Sequence, residues 1–261
     1  MPRILLTNDD GYNAPGILAL AEAIMPLGEV LICAPERNHS GAGSSFTTAY
    51  ANNPPLTARL GNCVLGKIPC MVVTGTPVDS TKYALQSWLR DDPPDLVVSG
   101  INHGANIGRS VRYSGTLGAL FEAGWSGFPC LAVSVDAARW PEYPIWEAAQ
   151  YYAAIVAKRM LNELYKEDAP SLLSLNVPSG KVSEVKGLRL GAMGRGGYSE
   201  TIEKKGNDQF VITGKMTKDN DPDAPLDGEL MHSGYAALTP LSLNWTDNAA
   251  LFYMKNDKWE I

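Results

Sequence analysis

Cysteine is scarce in this 261-residue chain: Cys33, Cys63, Cys70 and Cys130 are the only four, and no two form a C-x-x-C pair. With three of them in or beside apolar runs, they read as buried thiols in a reducing compartment rather than as a disulfide framework. Positive charge is also in deficit, since 22 Lys and Arg stand against 28 Asp and Glu, for a formal net charge of -6 at pH 7. A nucleic-acid polymer is therefore a poor partner, because such binding needs a basic surface to displace phosphate counterions. A small anionic substrate fits if a metal supplies local positive charge. No apolar run approaches the roughly 20 residues that span a bilayer, and too few apolar positions follow Met1-Pro2-Arg3 for a signal peptide. The expectation is a cytoplasmic protein with no membrane partner. Internal repeats, heptads and low-complexity tracts are missing too.

What is present is a core-forming composition, 45% hydrophobic, in a length at the upper end of one α/β domain. The expected organisation is an α/β catalytic domain over residues 1–178, with residues 179–261 as a C-terminal extension that completes the fold and carries oligomer contacts. Apolar strands are read at 4–7, 29–34, 71–75, 95–102 and 129–135. Helices are read between them: one after Pro15-Gly16, one from Thr76-Pro77-Val78-Asp79 to about Leu89, and one from Ser114 through Ala123. The apolar spacing over residues 145–164 predicts one long amphipathic helix. Alternating strands and helices argue for an α/β fold with a doubly wound, mostly parallel, Rossmann-like sheet flanked by helices. Residues 201–215 read as a β-hairpin with Gly206-Asn207-Asp208 at its tip, too small to be stable alone and so expected to pack on another subunit or flank the site. Residues 217–228 are polar and proline-interrupted, and 235–240 read as a late strand or sheet-edge segment.

The most informative stretch is Ile4-Leu5-Leu6-Thr7-Asn8-Asp9-Asp10-Gly11, an apolar run that stops at two adjacent carboxylates and a glycine. In open α/β sheets ligands sit beyond the carboxyl ends of the strands, and two neighbouring carboxylates repel unless a cation lies between them. Asp-Asp-Gly alone is equally a plain turn. Two further loops leave strand ends carrying oxygen donors, Asn38-His39-Ser40-Gly41 and Ser99-Gly100-Ile101-Asn102-His103-Gly104-Ala105-Asn106. If all three converge on one rim, two carboxylates, a serine hydroxyl and an asparagine carbonyl form a partial octahedral oxygen site of the kind that Mg²⁺ or Mn²⁺ favours. Ser114-Gly115-Thr116 adds hydroxyls and backbone N–H groups at a helix start, which is either a phosphate cradle or an ordinary cap. Tyr113, beside it, is the best aromatic for stacking on a base.

Taken together these motifs, with Ala14-Pro15-Gly16, the run from Ala34 to Gly41, and Gly75-Thr76-Pro77-Val78-Asp79, resemble the SurE family of survival-protein nucleotidases, most densely over residues 3–135. The resemblance implies a phosphomonoesterase that needs one divalent metal ion per subunit, Mg²⁺ or Mn²⁺. Its substrates would be nucleoside 5′- and 3′-monophosphates, with short polyphosphate as a further one. It implies Asp9, Asp10, Ser40 and Asn102 as metal ligands, with Asp9 and Asp10 catalytic. Asn8, Asn38, Gly41, Asn106, Ser114, Gly115 and Thr116 are expected on the phosphate and substrate side. A homodimer or homotetramer is implied as well. The expected chemistry is in-line attack by a metal-activated water, with an aspartyl-phosphate route as the alternative, and His39 or His103 as a candidate proton donor. Leu226-Asp227-Gly228-Glu229-Leu230 departs from a family Thr-Asp-aromatic-x-Ala pattern, although Gly234-Tyr235 and Leu238-Thr239-Pro240-Leu241 fit the family again downstream of it. The rival reading is a non-enzymatic, receiver-like nucleotide- or phosphate-binding module. It would need a carboxylate after the middle strand, where Ser99-Gly100-Ile101-Asn102 stands instead.

Overall fold

The computed structural model describes residues 1–51, 53–66, 68–136, 145–163, 171–217 and 225–256. Apolar runs become strands where expected: β1 (Arg3–Thr7), β2 (Glu29–Pro35), β4 (Cys70–Val73), β5 (Leu96–His103) and β6 (Cys130–Asp136). The sequence expectations did not include β3 (Ala58–Leu60), β7 (Leu172–Pro178) or β8 (Leu188–Leu190). Strand β11 (Ala236–Pro240) is the late strand. Nine strands make one sheet in the order β3-β4-β2-β1-β5-β6-β7-β11-β8. The run from β4 to β7 is parallel, while β3 and β11 pair antiparallel with their neighbours β4 and β7. Strands β8 and β11 thus bring residues beyond 178 back into the main sheet, because an unfinished edge at β7 would expose its backbone groups.

Helices cover both faces, as a parallel sheet requires. Side chains alternate along β1: Ile4 and Leu6 pack with α1 (Pro15–Ile24) and α4 (Glu147–Glu163) through Ile17, Leu20, Ala153 and Val156. Leu5 faces the other way, toward Leu117 and Leu120 of α3 (Gly115–Trp125) and Leu85, which follows α2 (Pro77–Tyr83). Helix α1 starts with Pro15 in its first turn, and Gly16 is required there, since a Cβ would lie 2.0 Å from the Ile101 carbonyl of β5. Helix α2 ends earlier than expected, at Tyr83, and gives way to a wider π-type turn over Ala84–Trp88. The described part of the long helix, Glu147–Glu163, matches its expected span, while residue 164 lies outside the described residues.

The hairpin forms as expected from β9 (Gly197–Gly206) and β10 (Gln209–Thr217). Asn207 and Asp208, at φ 46° and 59°, supply the two left-handed residues of its tight turn. Beyond the hairpin the described residues also include two short helices, α5 (Asp227–His232) and α6 (Asn248–Asn256). All four cysteines are free and buried. Among the described residues no helix is long and apolar enough to cross a membrane.

Candidate active site

From β1 the chain winds through α1 to β2 on one side, while β5 lies on the other side of β1, so strand order reverses between β1 and β5. That switch point opens a crevice at the carboxyl ends of the two strands. Thr7 and Ser99 are register partners there, and the turn bearing Asp9 and Asp10 follows directly. Asn8, fully buried, locks that turn: its Oδ1 accepts the Gly11 N–H at 3.1 Å and its Nδ2 donates to the Gly11 carbonyl at 2.9 Å. The structure therefore gives the Asn8 amide to the turn, not to a position facing substrate. Gly11, at φ +112°, provides the left-handed backbone that the turn needs.

Asp9 is 2% exposed. Thr116 Oγ1 donates to its Oδ1 at 2.7 Å, and the Asp9 carbonyl accepts the His39 N–H at 2.7 Å. Gly115 must be glycine for this approach, because a Cβ would stand 2.8 Å from the Asp9 Cβ and 3.1 Å from Pro77 Cγ. Burial pushes the Asp9 carboxyl up to about 6; the Thr116 hydroxyl opposes the shift and the Asp10 charge adds to it. Asp10 is raised as well, again by burial first, with the His103 backbone N–H and the Ser40 and Asn38 side chains opposing. Asn38 Nδ2 donates to Asp10 Oδ1 at 3.0 Å, and Asn38 Oδ1 accepts the Ser40 N–H at 2.7 Å. One amide thus couples the second loop to the acidic turn. On the third loop, Asn102 Nδ2 donates to the Gly104 carbonyl at 2.6 Å, which leaves Oδ1 available as an acceptor.

The expected residues are not equally close to the acids. Asp9, Asp10, Asn38, Ser40 and Thr116 are linked directly, and Gly115 touches Asp9. Gly41 follows Ser40 at φ +80° with open space around its Cα. Ser114 caps α3, its Oγ accepting the Leu117 N–H at 3.2 Å. Asn106 lies deeper, its Nδ2 donating to Ser134 Oγ at 2.9 Å and its N–H to Asn176 Oδ1 at 2.8 Å. Of the two loop imidazoles, His103 is exposed with its ring edge-on to Trp146, and the buried Nε2 of His39 has no hydrogen-bond partner. Tyr113 is 60% exposed beside the cap. Trp125 lies at the far end of α3, in an apolar pocket of about 790 Å³ lined by Leu243, Asn244, Trp245 and Thr246.

Asp79 was not among the expected site residues. It is 5% exposed, and its carboxylate accepts the Thr47 N–H at 2.9 Å, the Thr47 hydroxyl at 2.8 Å and the Thr76 N–H at 2.9 Å. These bonds tie the chain after Ser40 to the start of α2, whose Pro77 touches the Cβ position of Gly115. The local Thr-Pro-x-Asp capping box was visible in the sequence, but its reach to Thr47 was not.

The oxygen set fits a hard divalent cation. Among the described residues neither Asp9 nor Asp10 forms an ion pair, and burial raises both carboxyls despite the His103 imidazole acting on Asp10, so the crevice holds negative charge that is only partly compensated from within. No group of three or more His, Cys, Asp or Glu that could hold a metal occurs among the described residues. The remaining candidate donors are neutral oxygens, Ser40 Oγ and Asn102 Oδ1, which suits Mg²⁺ or Mn²⁺ better than a soft metal.

A family model described as survival protein SurE matches residues 4–200. The protein named 5′-nucleotidase SurE of Aeromonas hydrophila subsp. hydrophila is 36% identical over 253 residues, covering 95% of each chain. Its namesake in Porphyromonas gingivalis is 38% identical over 252 residues, covering 95% of this chain and 93% of its own. The crystal structure of the SurE protein from Aquifex aeolicus superposes with a TM-score of 0.80 at 30% identity, covering 98% of this chain and all of that one.

Proposed function

The chain belongs to the SurE family, and on that basis we propose that it is a divalent-metal-dependent phosphomonoesterase that hydrolyses nucleoside 5′-monophosphates. Nucleoside 3′-monophosphates and short polyphosphate are further substrates. The two SurE relatives named 5′-nucleotidase support the reaction class. One observation carries the metal dependence: Asp9 and Asp10 are adjacent and both raised by burial, with no ion pair among the described residues and only the His103 imidazole acting on Asp10 against it. Asp9, Asp10, Ser40 and Asn102 would hold one Mg²⁺ or Mn²⁺. When bound, the cation supplies Lewis acidity at the phosphoryl group.

The chain's own residues do the rest. Thr116 holds the Asp9 carboxylate in one rotamer, and Asn38 does the same for Asp10 while fixing the backbone of Ser40. The first turn of α3, capped by Ser114, points backbone N–H groups and the positive end of its dipole at the crevice where a phosphate anion would sit. The Thr116 hydroxyl already donates to Asp9, whereas Ser114 Oγ accepts the Leu117 N–H and keeps its own proton, so the backbone of that turn and the Ser114 hydroxyl make the main phosphate contacts. His103, exposed on the loop that gives Asp10 a backbone N–H, is the better placed of the two loop histidines to protonate the leaving oxygen. A homodimer or homotetramer is part of this reading. It is supported by Ile202, Phe210 and Ile212 of the hairpin, which are 59–69% exposed.

The test is phosphate release from 5′- and 3′-nucleoside monophosphates and short polyphosphate, each with Mn²⁺, with Mg²⁺ and with chelator. Release only with metal is the expected result. Release that survives chelation overturns the metal dependence, and no release from any ester overturns the hydrolase reading.

A further inference from the structure

Asp227 keeps the Asp of a segment that otherwise departs from the family pattern, and nothing in the proposed chemistry uses it. It opens α5, is 2% exposed, and its carboxylate gathers three backbone donors, two of them from distant parts of the chain. Oδ2 accepts the Gly108 N–H at 2.9 Å, while Oδ1 accepts the Gly194 N–H at 3.0 Å and the Gly228 N–H at 2.8 Å. We propose that Asp227 is a positioning residue for the active site, fixing the loop of residues 104–113 against the base of the β9–β10 hairpin; the inference rests on the phosphomonoesterase reading of the rim.

That loop joins Asn102 to the Ser114 cap, so its course sets how the third rim segment stands relative to the first turn of α3. It is held from below at Asn106, whose carbonyl and N–H both bond the Asn176 side chain of β7. It is held from the side at Gly108, which takes a left-handed φ of +52°. A Cβ at Gly108 would lie 2.2 Å from the Gly196 carbonyl, so the loop rests directly on the chain leading into β9. Arg109 continues the seam, its N–H donating to the Gly196 carbonyl at 2.8 Å and its guanidinium pairing with Glu200 of β9 at 2.9 Å. Ala105 and Ile107 pack with Leu230 and Met231 of α5 in a small apolar cluster beside the carboxylate. The Asp227 N–H itself donates to the Ala192 carbonyl at 2.9 Å. Three segments far apart in sequence therefore meet on one side chain, and a displacement of any of them reaches Gly108 through it.

Asp227→Asn separates this role from packing. The shape is kept, and with the amide oxygen facing the Gly194 and Gly228 donors, the NH₂ group meets the Gly108 N–H donor to donor. The comparison variant is Val156→Ala in α4, on the other face of the sheet. Turnover of p-nitrophenyl phosphate and of a nucleoside 5′-monophosphate is measured with Mg²⁺, well below the Tm of either variant, together with hydrogen exchange of the peptides spanning residues 105–113. Asp227→Asn is expected to lower turnover of both esters by about tenfold or more, since small misplacements of reacting groups have effects of that order. It also speeds exchange in 105–113, while Val156→Ala leaves both near wild type. Turnover within twofold of wild type, or unchanged exchange in 105–113, overturns the proposal. If wild type releases no phosphate from either ester, the phosphomonoesterase reading fails, and the exchange measurement still decides whether Asp227 holds the loop. Should Asp227→Asn not fold, the wild-type protein decides by exchange with Mg²⁺ and inorganic phosphate. Protection that extends from 105–113 to the 192–196 and 226–230 peptides supports the coupling, because linkage is reciprocal, and protection confined to 105–113 overturns it.

Discussion

Asp9 and Asp79 are nearly equally buried, at 2% and 5% exposure, and both stand beside helix starts on the same side of the sheet. Their surroundings differ. Asp79 is surrounded by donors: two backbone N–H groups and a hydroxyl converge on it, and Gly75 leaves room for its carboxylate where a Cβ would lie 2.4 Å away. Asp9 has the Thr116 hydroxyl and backbone N–H groups at Thr116 and at Asp9 itself, yet burial outweighs them all and another carboxylate is its neighbour. A carboxylate whose donors tie distant segments together holds structure, whereas one whose charge stays penalised by burial beside a second carboxylate awaits a ligand. The contrast separates scaffold from site more sharply than burial or residue type does.

Three measurements put this contrast at risk. The largest effect belongs to Asp9→Asn, which removes the charge that holds the cation and is expected to reduce turnover on the order of 10³-fold, matching the several kcal/mol that a metal supplies to a phosphoryl transition state. The same variant should be no less stable than wild type without metal, because it removes an uncompensated buried charge. Near-normal turnover at saturating Mn²⁺, measured by phosphate release, would sink the assignment. Asp79→Ala should do the opposite. It removes three hydrogen bonds and a helix cap at a loss of roughly 3 kcal/mol, a fall in Tm of about 6–12 °C by scanning calorimetry. Residual turnover of the folded fraction should far exceed that of Asp9→Asn.

The smallest effect concerns pH. Burial holds the Asp9 carboxyl at about 6 in the folded chain, against an ordinary value of 3.8, so between those pH values the folded form keeps a proton that the unfolded form has released. The buried charge therefore subtracts stability above pH 6, and that subtraction fades as pH falls through 6 toward 4, by at most about 3 kcal/mol. Metal-free wild type should gain stability relative to Asp9→Asn between pH 7.5 and pH 5. Added Mg²⁺ should raise Tm more at pH 7.5 than at pH 5. Parallel Tm profiles for the two proteins across that range would show that Asp9 is not desolvated as described.

Elements that depend on neighbouring residues alone were legible along the chain. Apolar runs closed by Asp, Asn, Gly or Pro mark five strands of the central sheet, Pro15 and the Thr76-Pro77-x-Asp79 box mark helix starts, and Asn207-Asp208 marks the hairpin turn. The acidic rim was legible for the same reason, since strand order and handedness bring β1, β2 and β5 to one edge whatever their side chains do. The partners of the polar side chains, by contrast, came only with the assembled fold. Asn8 and Asn106 were expected near phosphate, yet Asn8 closes its own turn and Asn106 bonds Ser134 and Asn176, 28 and 70 residues away. Asp79 reaches Thr47 across 32 residues, and Asp227 reaches Gly108 across 119. Strand β8 likewise joins the sheet beyond β11 with nothing near it in sequence to announce its place. Periodicity and capping act over one or two turns of chain, whereas a buried carboxylate or amide takes whichever donor the finished fold brings within about 3 Å, so its role is settled only when the sheet is assembled.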